Sequence, residues 1–425
     1  MPTNGEILVK MIPAKRWRVS KALRPLWKNY NVFWLGNSCY PIQWGSYNTP
    51  LAWIEFPYLL GLPAYMHTIC QKNQARLGPL VAVVVADFLG GEKPFAVQTR
   101  FITELTEHAN ARGVMVYVVT PRSTLTTDGL DGYTWTAGKW IKQHLPYPDL
   151  VYNRYFGHQF SGRDELIKKL ISRGAVLVNS AMPNKWACYQ LLKTDPLLKH
   201  HLPETRLCKS IKDIAAMIAL YPEIYIKPRA GARGTGIYRL SHNGRFYQLI
   251  SSSGKVQKVA SLDKLPPHIT NGSSIVQQGI RLWNYPHFFD FKVLVQSQGP
   301  DFRVTGKVAR QAEPGRVTTH LHQGGRAVLL NDYIRKLPPT WQEKAEAEID
   351  GIALQTARVL QKHMKRLGEF SIDMGIDYQG KVWIIEVNGK PSRKSFLMAG
   401  DLETRSISYE YLIDYILYDY VNNSR

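Results

Sequence analysis

Cysteine is scarce in this chain of 425 residues, and its four copies, Cys39, Cys70, Cys188 and Cys208, lie far apart. No Cys-x-x-Cys pair occurs, which argues against a zinc ribbon or a thioredoxin-like dithiol. Scattered thiols fit a reducing cytoplasm. Long apolar runs are also missing. The longest obvious one, Leu80–Ala86, ends at Asp87, which suits a buried strand and falls far short of a membrane span. Internal repeats are absent. Acidic residues are few, 33 against 54 Lys and Arg, for a net charge of +21. That balance favours anionic partners such as nucleotides, nucleic acid, acidic polymers or anionic surfaces, or else marks a solvated basic face. Part of the excess is local: Lys10, Lys15, Arg16, Arg18, Lys21, Arg24 and Lys28 face a single acid, Glu6, within residues 1–30. This basic stretch reads as an anchoring arm, and no apolar core follows it as a secretory signal would require. Nucleic-acid binding rests on charge alone, since no zinc-finger or RNA-binding signature accompanies it.

What is present is a globular composition, with 44% hydrophobic residues, and a length that predicts two or three domains. Residues 29 to about 78 are aromatic-rich, with short β-like runs at Asn31–Leu35 and Leu51–Phe56, and predict a small β-rich region. Leu80–Ala86, the amphipathic Phe101–Ala111 and Val114–Val119 form a strand–helix–strand unit. Asp149–Asn153, the helical Asp164–Arg173 and Ala175–Asn179 extend it, predicting a parallel α/β sheet over about 80–180. From about 181 the pattern becomes α+β. Helices are expected at Lys185–Leu192, Ile211–Leu220 and Glu343–Met364. Strands are expected at Ile224–Lys227, Ile237–Leu240, Phe246–Ile250, Lys255–Val259, Ser274–Gln278, Phe289–Gln296, Glu369–Asp373 and Val382–Asn388. Asp377-Tyr378-Gln379-Gly380 is a hairpin turn between the last two. An apolar helix closes the pattern at Ser408–Val421.

Two constellations carry chemistry. In the first, Tyr225-Ile226-Lys227-Pro228 runs into a loop containing Arg229, Gly231, Arg233, Gly234, Thr235 and Gly236. Glycines let backbone N–H groups approach phosphate oxygens, and Lys227 adds a point charge. The loop is not a Walker A loop, because no Gly-Lys-Ser/Thr follows, and strands rather than a helix come after it. In the second, Asp373 lies on one strand while Glu386 and Asn388 lie two apart on its hairpin partner, so that all three converge on one face. Two carboxylates and an amide oxygen form a hard set suited to Mg²⁺. Acids among Trp383, Ile384, Ile385 and Val387 are costly unless paired or metal-bound. Between the two constellations, Gln277, Gln278, Gly279 and Ile280 end a strand able to present its backbone to an adenine edge. Lys292 shares a face with Asp290.

The order of these pieces resembles an ATP-grasp domain: Asn184-Lys185-Trp186, Leu202-Pro203-Glu204-Thr205, Lys227-Pro228 with its loop, Gln277–Ile280, then Asp373 and Glu386-Val387-Asn388-Gly389-Lys390-Pro391. Pro148–Arg154, the Lys185–Thr205 stretch, Gly324-Gly325 and Asn388–Ser392 resemble the YheC/YheD-type endospore coat-associated ATP-grasp proteins more closely. The resemblance covers about 80–400 and is weak over 1–75. It implies an ATP-grasp fold, α/β and α+β, over residues 181–425. A Rossmann-like pre-ATP-grasp domain would occupy 79–180, and the basic arm with its β-rich region 1–78. It implies that Lys185 and Lys227 hold ATP phosphates, that the loop with Arg233, Gly234, Thr235 and Gly236 folds over them, and that Gln277, Gln278, Gly279 and Ile280 line the adenine pocket. Asp373, Glu386 and Asn388 would ligate Mg²⁺, and Lys292 and Arg310 would serve the transferring phosphate or the acceptor. Two departures stand out: Lys292 where arginine is expected, and His320 where asparagine is expected. The implied activity is an ATP- and Mg²⁺-dependent carboxylate–amine ligase acting through an acyl phosphate on amino-acid or peptide-like substrates. The setting would be spore formation, in the cytoplasm (the mother cell) or at the spore coat with its anionic components. Alternatives are a phosphotransferase using the same site and a spore-coat structural protein that keeps the fold.

Overall fold

The computed structural model describes residues 5–7, 10–12, 16–19, 32–41, 52–55, 66–71, 74–156, 161–179, 182–231, 235–270, 272–283, 289–313, 318–319, 321 and 324–423. Arg233, Gly234, His320 and most of the basic arm lie outside these residues. The chain divides into two compact units, Met1–Ser180 with Tyr409–Arg425, and Ala181–Ser408. No helix among the described residues is long and apolar enough to cross a membrane.

The first unit is strand-rich at its start. Gly5–Ile7, Val32–Leu35, Ser38–Pro41, Met66–Gln71 and Gln74–Gly78 join in one five-stranded sheet, while Lys10–Ile12, Arg16–Val19 and Ala52–Glu55 form another of three strands. A six-stranded sheet follows. Its four parallel members are Met115–Val119, Leu80–Val84, Leu150–Asn153 and Val176–Val178, in that spatial order. A hairpin not expected from the sequence, Leu130–Thr136 with Lys139–Leu145, extends this parallel sheet by pairing antiparallel on the Met115–Val119 edge. Its two-residue turn, Ala137 and Gly138, has positive φ at both positions. So short a connection joins only antiparallel strands. The helix Thr99–Ala111 buries Phe101, Ile102, Leu105 and Ala109 in a core with Val81, Val83, Val116 and Val118, and Tyr409, Leu412, Ile413 and Ile416 of the final helix complete it.

The second unit holds two antiparallel sheets. The first runs Thr205–Cys208, Ser274–Gln278, Glu223–Pro228, Tyr238–His242, Tyr247–Ser251, Val256–Val259. The helix Ile211–Leu220 packs Ile214 and Met217 into a core with Ile224, Ile226 and Val276 of this sheet. The Asp213 carboxylate accepts from the Ser210 backbone N–H at 2.8 Å, satisfying a donor at the helix start. The second sheet runs Arg326–Leu329, Asp301–Gln311, Phe289–Gln298, Glu369–Ile376, Val382–Asn388. The 25-residue helix Pro339–His363 lays Ile349, Ile352, Ala353 and Leu360 against Phe291, Val293, Phe370, Ile372 and Met374. Strand alternation then leaves Asp290, Lys292, Ser371 and Asp373 on the opposite face.

Candidate active site

The candidate site lies wholly within the second unit, Ala181–Ser408. Register brings the charged residues together. Asp290 pairs with Arg310 across one strand boundary, Lys292 pairs with Asp373 across the next, and Asp373 pairs with Glu386 across the third. The last pairing depends on a bulge. Val382 and Ile384 face the helix core, so regular alternation would send Glu386 into that core as well. Instead Met374 opposes Ile384 while Asp373 opposes Glu386, and Ile385 is the extra residue between them. A bulge re-aims the residues that follow it. Beyond it Val387 packs on the core, and Glu386 and Asn388 share the face of Asp373.

These groups form one connected network. Arg310 donates to Asp290 through two parallel hydrogen bonds, Nε to Oδ1 at 2.7 Å and Nη2 to Oδ2 at 2.6 Å. The same Nη2 lies 3.0 Å from Asp373 Oδ2. Lys292 Nζ lies 3.8 Å from Asp373 Oδ1, and Asn388 Nδ2 donates to Asp373 Oδ2 at 3.4 Å. Thr319 Oγ1 donates to Asp290 Oδ2. Burial works against the charge of Arg310, but Asp290 and Asp373 outweigh it and hold its pKa above the ordinary range. Burial also draws Lys292 below its ordinary value, against the upward pull of Asp373.

The two lysines of the phosphate reading approach from other elements. Lys185 opens the helix Lys185–Lys193, whose N-cap Asn184 accepts from the Ala187 N–H at 3.1 Å. Its Nζ donates to the Gly231 carbonyl at 2.9 Å and lies 3.1 Å from Glu386 Oε1. Lys227 is buried, only 6% exposed. It donates to Gln277 Oε1, and Gln277 Nε2 donates in turn to Thr205 Oγ1 at 3.1 Å. Burial pulls the Lys227 pKa down to about 8, with Glu386 acting in the opposite sense. Gln278 accepts from the Glu204 N–H at 3.1 Å, so both glutamine side chains are committed to protein partners, as are the backbone N–H groups of Gln278 and Gly279, which donate to the Glu204 and Glu223 carbonyls at 2.8 and 2.9 Å. A Cβ on Gly279 would lie 2.6 Å from the Glu223 carbonyl oxygen, so only glycine lets the two strands approach here.

A cleft with ≈ 730 Å³ of empty space, open to solvent, is lined by Tyr225, Lys227, Gln277, Gln278, Ile280, Asp373 and Glu386, with Leu282, Phe289 and Ile385 as apolar walls. Its lining, apolar walls with a few convergent charged and polar groups, is that of a small-molecule site. Asp290, Thr318 and Thr319 line it too, and none of the three was a sequence candidate. Asp290 could have been found, because an acid two residues from Lys292 in an otherwise apolar strand needs a partner. The threonines carry no such signal. Thr235, Gly236, Lys185, Gly279, Lys292, Arg310 and Asn388 are not among the cleft-lining residues. Gly236 turns with φ +72 beside Pro228. Cys188 lines a neighbouring cavity, and burial pushes its thiol up to about 12, which leaves it inert as a nucleophile.

The donor set fits a hard cation. Asp373 and Glu386 offer carboxylate oxygens, and Asn388 an amide oxygen beside the Nδ2 that donates to Asp373; among the described residues no group of three or more His, Cys, Asp or Glu is arranged to hold a metal. Mg²⁺ uses one or two carboxylates and completes its shell with water and phosphate oxygens, which this cleft permits.

The family model described as "YheC/D like ATP-grasp" matches residues 174–418. The chain is 28% identical to the endospore coat-associated protein YheD of Bacillus subtilis (strain 168) over 81% of this chain and 80% of that protein. It is 20% identical to the endospore coat-associated protein YheC of the same organism over 62% of this chain and 76% of that protein. Among solved structures it is similar to D-alanyl-alanine synthetase A from Vibrio cholerae, with 14% identity, coverage of 81% of this chain and 99% of that chain, and a TM-score of 0.49. A RiPP-associated ATP-grasp ligase of Chryseobacterium gregarium gives 15% identity, coverage of 79% and 95%, and a TM-score of 0.41.

Proposed function

The chain belongs to the YheC/D-like ATP-grasp family, and from that premise we propose that it is an ATP- and Mg²⁺-dependent carboxylate–amine ligase. The observation that supports this reading is that Lys227, Asp373 and Glu386 line one cleft, with Arg310 3.0 Å from Asp373. In the proposed reaction a substrate carboxylate oxygen attacks the γ-phosphorus of ATP, the bond to the bridging oxygen breaks, and ADP leaves. An amine then attacks the acyl phosphate carbon, phosphate departs, and the amine proton passes to solvent. Lys185 and Lys227 hold the phosphates as point charges. The strand end Gln278–Ile280, drawn close to Glu223 by Gly279, lies beside the base, while Tyr225, Ile280, Leu282 and Ile385 wall the cleft around it. Asp373, Glu386 and Asn388 are the residues that would hold Mg²⁺, which when bound shields the phosphate charges. Arg310 and Lys292 supply fixed positive charge where the transferring phosphoryl group develops negative charge. No protein nucleophile is required, in keeping with the buried Cys188.

The same proposal takes residues 79–180 as the pre-ATP-grasp domain and 181–425 as the ATP-grasp domain. The names of YheD and YheC support a role in spore formation or at the spore coat. The experiment is incubation with ATP, Mg²⁺ and a panel of acids and amines, following ADP and phosphate. ADP release that needs both an acid and an amine is the expected result. A stable phosphorylated product would make the protein a phosphotransferase, and nucleotide binding without turnover would make it a structural protein that kept the fold.

A further inference from the structure

We propose that Asp290 is a positioning residue that shares Arg310 with Asp373 and so weakens the ion pair a divalent cation must displace at Asp373. The inference rests on the metal reading above. The ligase chemistry gives Asp290 no task of its own, and a buried carboxylate beside a phosphate site repels the ligand. Its position is nonetheless fixed by register directly opposite Arg310, and it takes two of that residue's hydrogen bonds, at 2.7 and 2.6 Å. Arg310 Nη2, which makes the second of these bonds, also lies 3.0 Å from Asp373 Oδ2. Two carboxylates therefore compete for one guanidinium. Thr319, bonded to the same oxygen of Asp290, helps to fix that carboxylate.

The competition matters when Asp373 turns to a cation. With Asp290 present, Arg310 keeps a bidentate, charge-assisted partner and no buried guanidinium is stranded. Without it, Asp373 would be the carboxylate left to Arg310, and a cation that displaced the guanidinium, now 3.0 Å away, would strand it buried and unpaired. The charge balance points the same way. Asp290 offsets one of the four cations, Lys185, Lys227, Lys292 and Arg310, gathered around the cleft. The field near Asp373 then stays weak enough to admit a divalent ion.

The test uses the full chain and a non-hydrolysable ATP analogue, with calorimetric affinity measured across a Mg²⁺ titration. In Asp290→Asn the Mg²⁺ concentration for half-maximal effect should rise about tenfold, equivalent to ~1.4 kcal/mol, while affinity without Mg²⁺ changes little. The double variant Asp290→Asn with Arg310→Gln should return toward the wild-type Mg²⁺ requirement, because the competitor is gone. A merely structural Asp290 predicts the reverse, a double variant worse than the single. Arg310→Gln alone should lower the requirement below wild type, and this arm stands even where Asp290→Asn does not fold. Unchanged Mg²⁺ dependence in Asp290→Asn, or a raised requirement in Arg310→Gln, would overturn the inference while leaving the metal reading intact. A wild-type protein whose nucleotide affinity ignores Mg²⁺ would overturn the metal reading and this inference with it.

Discussion

Replacing Lys227 by methionine should separate ligand binding from folding, because the structure makes this lysine a liability to the empty protein. Its pKa falls from an ordinary 10.5 to about 8, chiefly through burial. That displacement corresponds to on the order of 3 kcal/mol held against the folded state while the lysine is charged. Methionine keeps much of the volume and removes that cost, but it strands Gln277 Oε1, now bonded to Lys227. An orphaned buried acceptor costs about 1–3 kcal/mol. The two terms nearly cancel, so Lys227→Met should fold with a stability at pH 7 within about 2 kcal/mol of wild type. Binding behaves otherwise. Removing one partner of a buried charge pair costs about 2–5 kcal/mol, so ATP affinity should fall about 30-fold or more. The pH dependence adds a signed check. A lysine with a depressed folded pKa destabilises fully below that pKa. As pH rises from about 8 toward 10.5, the unfolded chain binds more protons and the folded state gains. Wild type should therefore gain stability over the variant across that window. Denaturant titrations at neutral and alkaline pH, with calorimetry of ATP binding, give all three numbers. Undiminished ATP affinity, or a loss of several kcal/mol of stability at pH 7, would refute the reasoning.

Three further outcomes are expected. Glu386→Gln should abolish Mg²⁺-dependent ADP release while keeping the melting temperature, since the amide preserves shape beside Lys185; early melting with normal turnover would mark Glu386 as a structural ion-pair partner. Gly279→Ala should weaken nucleotide binding sharply, because its Cβ would sit 2.6 Å from the Glu223 carbonyl oxygen; equal affinity in a direct titration would remove the Gln278–Ile280 backbone from the base site. Arg393→Met leaves Glu369, buried and paired with Arg393 in a bidentate contact, as an uncompensated charge and should cost about 3–5 kcal/mol; the double variant with Glu369→Met should recover part of that loss, and an additive double loss would contradict it.

The parts of the site that the sequence revealed are those where chemistry is written at short range. Glu386 and Asn388 stand two apart, a turn follows Ile376, and an acid precedes that turn, so the hairpin could be read without coordinates. Helix Pro339–His363 announced itself through its apolar stripe. The strand Asp301–Gln311 did not, although it carries Arg310. Arg303, Lys307 and Arg310 interrupt its apolar residues, and Gly306 breaks the pattern where a Cβ would meet Thr404 Cγ2 at 2.2 Å. That glycine answers to a tertiary contact, which no local pattern encodes. Nothing in the local pattern sets Lys292 and Arg310 apart from solvated cations, because their partners lie across strand boundaries. Hairpin Leu130–Thr136 with Lys139–Leu145 escaped for a related reason: exposed on one side, its second strand alternates too weakly to stand out.

The extra residue at Ile385 has a consequence for how such a site can change. On one side of it the strand obeys the helix core through Val382 and Ile384; on the other it obeys the cleft through Glu386 and Asn388. Removing Ile385 would leave a regular strand, with Val382 and Ile384 still inward and the carboxylate and amide still facing Asp373. What would vanish is a single apolar wall of the cleft. A one-residue insertion or deletion, ordinarily ruinous inside a sheet because it inverts every later side chain, is here a near-neutral step that adds or removes a surface against the bound molecule. The hairpin thus gives a lineage a way to reshape the floor of the pocket in discrete increments while the charged groups keep their stations.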